Sequence, residues 1–103
     1  MHMTLREDER IQLWAAAEMS RRRLEKGLRL NYPEAVAVIS DEILERAREG
    51  AIPMLTDMME YGATILKREH VMEGVADMLT ILQVEALFPD GTKLVTVMNP
   101  IRD

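Results

Sequence analysis

The chain contains no cysteine. Disulfides, thiolate catalysis and cysteine-held zinc or iron–sulfur sites are therefore excluded. Histidine is nearly absent: His2 and His70 are the only two in 103 residues, too few to complete a closed imidazole site. Aromatic residues make up 4% of the chain, so a core has few large anchors. No apolar run approaches the ~18 residues of a membrane span. Basic residues are outnumbered, 13 Lys and Arg against 18 Asp and Glu, so the basic footprint of a nucleic-acid binder is missing. The opening is charged from Arg6 through Asp8, unlike a secretory signal. We expect no membrane partner, no nucleic-acid partner and a cytoplasmic location. P-loop, G-x-G-x-x-G, G-x-S-x-G and calcium-loop patterns are all absent from the sequence.

What is present is an ordinary globular composition, 48% hydrophobic and 30% charged. The length suits one domain over 1–103, since domains commonly run ~100–150 residues. Methionine is abundant, 9 residues. Its flexible, polarisable side chain fills irregular cores or adaptable contact surfaces.

Periodicity predicts helices first and strands last, an α+β fold. Thr4-Leu5-Arg6-Glu7 is a capping-box pattern, with Leu13, Ala17, Ser20 and Leu24 on one helical face and Gly27 as the stop. Asn31-Tyr32-Pro33-Glu34 opens a second helix with the stripe Val36, Ile39, Ile43 and Ala47, ended by Gly50. Glu42 and Arg46 stand in the favourable i,i+4 order. Pro53 begins a third helical segment in which Leu55, Met58, Gly62, Ile65 and Leu66 share a face, with Met54 and Met59 beside it. Gly62 inside that face suggests a close crossing or a kink. A short helical turn over 69–73 is expected to stop at Gly74. The period then changes to two. Leu82, Val84, Ala86 and Phe88 point one way, Gln83 and Glu85 the other. A second strand follows at Leu94–Met98, after Pro89-Asp90-Gly91. We read those three residues as the structural turn, type I with a bulge at a positive-φ Gly91. The expected architecture is thus a bundle of about three helices plus a helical turn, followed by a C-terminal antiparallel β-hairpin.

Candidates for chemistry are few. His70 and Glu73 have i,i+3 spacing, but without further ligands they read as a solvated helix end. Ser20 and Ser40 fall inside helices, where a hydroxyl bonds back to the preceding turn. Asp57 and Glu60 read as the wet face of an amphipathic helix. The Arg21-Arg22-Arg23 run reads as an anion contact or as a dipole-favoured helix end with ion-pair partners. We expect no catalytic and no metal-binding residue in this chain. The Met-rich third segment is instead a candidate contact surface. Tyr32, Met54, Met58, Met59 and Met98 are the candidate interface residues.

Five strings follow in order: Leu28-Arg29-Leu30-Asn31-Tyr32-Pro33-Glu34-Ala35, Val71-Met72-Glu73-Gly74-Val75, Gln83-Val84-Glu85-Ala86, Phe88-Pro89-Asp90-Gly91-Thr92-Lys93-Leu94-Val95-Thr96-Val97 and Asn99-Pro100-Ile101. Together they resemble the gamma subunit family of bacterial urease, over essentially the whole chain and in its separate-chain form. The resemblance implies a non-catalytic structural subunit of a nickel-dependent enzyme that splits urea into ammonia and carbamate. It implies that the dinuclear nickel centre belongs to a partner alpha subunit. It further implies alpha and beta subunits as partners, with heterotrimers assembling as a trimer of heterotrimers. The family usually carries histidine where Met98 stands. The other reading is a stand-alone helical interaction protein with the same fold.

Overall fold

In the computed structural model, which describes residues 5–103, the chain runs through α1 (Leu5–Glu25), α2 (Tyr32–Glu49) and α3 (Leu55–Gly62). A 3-10 turn (Arg68–His70), the short α4 (Val75–Met78), and the strands β1 (Ile81–Phe88) and β2 (Gly91–Met98) complete it. The order is the α+β arrangement expected from periodicity. The Thr4–Glu7 capping box lies outside the described residues.

α1 ends as a Schellman motif. Gly27 takes φ +83°, the Leu28 amide donates to the Arg23 carbonyl, and the Gly27 amide donates to Leu24. α2 opens on a reciprocal cap. The Glu34 amide donates to the Asn31 side chain, and the Asn31 amide donates to the Glu34 carboxylate. Pro33 stands at the second helical position, because Tyr32 already belongs to the helix. Gly50 closes α2 at φ +72°.

α2 is the central element. Ala35, Ile39, Ile43 and Ala47 are fully buried on it, and three elements pack around it: α1, α3 and β1. Val36 of the expected stripe is only partly buried. The hairpin supplies the opposite wall. β1 alternates strictly, with Leu82, Val84, Ala86 and Phe88 buried. β2 adds Val95 and Val97 at the positions facing Val84 and Leu82. A two-stranded hairpin is marginal alone; here β1 rests on α2 and β2 on α3.

Four boundaries differ from expectation. α3 begins at Leu55 and ends at Gly62, leaving Ile65 and Leu66 in the connection beyond it. Gly74 starts a helix instead of stopping one. At φ +89° it precedes α4, and the helical turn before it covers Arg68–His70. A left-handed glycine reverses the chain equally well before or after a helical turn. β2 starts at Gly91, three residues earlier than expected. Finally, the bulge is absent. The register runs unbroken from Ile81 opposite Met98 to Phe88 opposite Gly91, around the two-residue turn Pro89-Asp90. Gly91 still has positive φ, at +130°.

Candidate functional site

The expected interface residues fall at three places. Met58 is fully enclosed. It points from α3 into the core, so its side chain has no surface to lend to a partner. Met54 stands at the N-cap position of α3 without a side-chain cap bond and is 60% exposed. Tyr32 opens α2 and is partly exposed. Met59 and Met98 are the two that the fold brings together. They line one depression of about 240 Å³ between α3 and β2, with Thr56, Glu60, Thr96 and Arg102 around it.

Met98 also faces Ile81 across the hairpin, and both are about half exposed. Leu87 and Leu94 emerge on the same outward sheet face and are likewise exposed. The same alternation that buried Leu82 and Val84 puts Ile81 and Leu87 outside. That face therefore carries Ile81 and Leu87 beside Gln83 and Glu85.

The polar groups around the core are committed to holding helices together. Asp41, with a side chain only 2% exposed, accepts from Arg10 at 2.8 Å and from Arg21 at 2.5 Å. Arg10 also pairs with Glu45 at 2.6 Å, and Arg21 with Glu42 at 2.9 Å. Both arginines come from α1, and all three carboxylates from α2. Among the described side chains of α1 only Ala17 and Ser20 are buried, with Leu24 packed against the core, and this ionic clamp adds to its docking. Arg23 pairs with Glu34. The Arg21–Arg23 run thus divides between two partnered cations and an exposed Arg22. On the other side of α2, Glu42 accepts from Arg46 and from the Tyr61 hydroxyl, each at 3.2 Å. Burial, with Glu42 beside it, holds the Tyr61 phenol above its ordinary pKa.

Several polar groups are engaged in local structure. Ser20 donates to the Ala16 carbonyl at 2.7 Å, as expected for a helical serine. His70 Nδ1 accepts the Lys67 amide at 2.8 Å, so one ring nitrogen is already used to close the 3-10 turn. Asp57 and Glu60 are exposed on α3. Among the described residues no group of three His, Asp or Glu side chains is placed to hold a metal ion. The described residues do not fit a nickel centre. What the surface offers is contact area: Met54, Met59, Ile81, Leu87, Leu94 and Met98. The described residues also contain no helix long and apolar enough to cross a membrane.

The family model for the urease gamma subunit matches residues 1–101 of the 103. A match over nearly the full length, on a chain with this α+β order, means that the chain belongs to the urease gamma subunit family.

Proposed function

We propose that this chain is a non-catalytic structural subunit of a nickel-dependent urease. In this reading the dinuclear nickel centre and the catalytic groups reside in a larger alpha subunit. This chain and a beta subunit complete a heterotrimer, and three heterotrimers assemble together in the cytoplasm. The observation that carries the reading is the family match over residues 1–101. The side-chain inventory supports it, with no cysteine, two histidines and polar groups spent on helix packing. A subunit of this kind contributes by surface, and the exposed Met54, the Met59–Met98 depression and the outer hairpin face supply it.

Co-purification tests the proposal. The tagged chain, expressed with its alpha and beta partners, should bring down both together with bound nickel. Met54→Lys and Met98→Lys should reduce that recovery while leaving the thermal unfolding of the chain alone nearly unchanged, since both side chains are at least half exposed. Recovery of the chain without either partner would contradict the proposal. Equal loss of folding and recovery in both variants would remove these methionines from the interface.

A further inference from the structure

We propose that the outer face of α1 is a self-association surface, on which a second copy of this chain docks antiparallel about Ala15. The helix is anchored to its own chain along one side, through Ala17, Ser20, Arg10 and Arg21. At 3.6 residues per turn, Asp8, Ile11, Ala15, Met19 and Arg22 fall within a sector of roughly 80° on the opposite side. Ile11 and Met19 are 50% and 52% exposed, and Asp8 and Arg22 are exposed at the two ends of the stripe.

The spacing along this stripe is self-complementary. An isologous contact presents the same patch on both copies. With a two-fold axis at Ala15, Ile11 of one copy faces Met19 of the other, and Asp8 faces Arg22. Each of these pairs occurs twice. Ala15 meets its own counterpart, and its small side chain allows close approach of the helix axes, near the ~8 Å lower limit of packed helices. A parallel arrangement would set Asp8 against Asp8 and Arg22 against Arg22. The antiparallel one replaces both repulsions with attractions and also opposes the helix dipoles favourably. One helix pair covers less than the ~1,000 Å² of a typical stable interface. The association is therefore weak and concentration-dependent, with Asp8 and Arg22 fixing its direction.

The absence of cysteine makes the test direct, because each introduced thiol is the only one. Under mild oxidation at high protein concentration, full-length Ala15→Cys should form disulfide-linked dimers at least tenfold faster than Gln83→Cys, an exposed control on β1. Disulfide closure needs Cα atoms within about 7 Å, which only a position at the two-fold provides for a single variant. A mixture of Ile11→Cys and Met19→Cys chains should cross-link faster than either variant alone. Adding Asp8→Arg to Ala15→Cys should slow its cross-linking severalfold, and adding Arg22→Asp as well should restore it. Helical circular dichroism identifies any variant that fails to fold, and the mixed pair then reads the same register independently. Ala15→Cys cross-linking no faster than the control, as expected if a different subunit covers this stripe, would overturn the proposal. So would like-with-like linking of Ile11→Cys, or charge reversal without rescue.

Discussion

Gly62→Ala adds one methyl group where α3 crosses β2. A Cβ there would lie 2.6 Å from Val97 Cγ2 and 3.3 Å from both Val97 Cγ1 and Ile43 Cδ1. Carbon atoms in contact prefer about 3.5–4.0 Å. Val97 and Ile43 are fully buried, so neither can swing into open space. Two effects compete. Alanine is favoured over glycine in a helix interior by up to about 1 kcal/mol, and by less at Gly62, the last residue of α3. Overpacking a well-filled core costs about 1–3 kcal/mol. The clash should win, with a net loss of about 1–2 kcal/mol. For a domain of this size that lowers Tm by roughly 5–15 °C. Urea unfolding followed by circular dichroism gives the free energy directly. Val97→Ala alone leaves a cavity and should cost about 1.5–3 kcal/mol. Combined with Gly62→Ala, the new methyl enters that cavity. The double variant should then be more stable than the sum of the singles by about 1 kcal/mol or more. Increased stability of Gly62→Ala, or additivity within ~0.5 kcal/mol, would refute a tight crossing.

The other perturbations follow the ionic clamp, the turn and the α2 cap. Asp41→Asn should cost about 1–3 kcal/mol, below the 3–5 typical of a broken buried pair, because Arg10 and Arg21 are 30% and 27% exposed and can turn to water. The loss should concentrate in α1, so hydrogen exchange should speed up there while α2 and the hairpin stay protected. Gly91→Val and Gly91→Asn should both destabilise by about 1–3 kcal/mol. At φ +130° the residue lies beyond the left-handed region that asparagine tolerates, and open space around its Cβ leaves backbone strain as the cost; a harmless Asn variant in thermal unfolding would show that the hairpin relaxes. Glu34 is held below its ordinary pKa of 4.5, first by the Asn31 amide and then by Arg23. Its stabilisation is complete above pH 4.5 and is lost as pH falls through the lowered value. Glu34→Gln keeps a capping acceptor but cannot titrate, so its unfolding midpoint should fall less steeply below that pH than the parent's. Identical acid limbs would contradict the assignment.

The features legible in the sequence are those set by neighbours along the chain. Alternation from Leu82 to Phe88 placed β1, and Pro89-Asp90-Gly91 placed the reversal. Gly27 and Gly50 marked the ends of α1 and α2. The Glu42–Arg46 pair needed only i,i+4 spacing. Gly62 signalled a close crossing, but not that its partner is the strand residue Val97. Non-local partners left no such trace. Asp41 reads as one more charge on a helix until α1 lays Arg10 and Arg21 over it. Leu30 and Val71 pair as an isolated parallel bridge, which nothing local foretells. Met58 and Met59 are adjacent and chemically identical. Only the angle of α3 against the core decides that the first is enclosed and the second lies beside Met98. The Asn31–Glu34 cap, by contrast, is local and follows from N-x-x-E spacing alone.

As proposed above, the chain serves a urease whose metal and catalytic groups lie in a partner subunit. Nickel content and ammonia release, measured side by side on the isolated tag-free chain and on its complex with alpha and beta partners, test it most directly. Less than a tenth of a nickel per isolated chain and no urea hydrolysis by it are expected, with both metal and activity present in the complex, because two histidines and no cysteine make a poor ligand set. One tightly bound nickel per isolated chain, or urea turnover without partners, would contradict it.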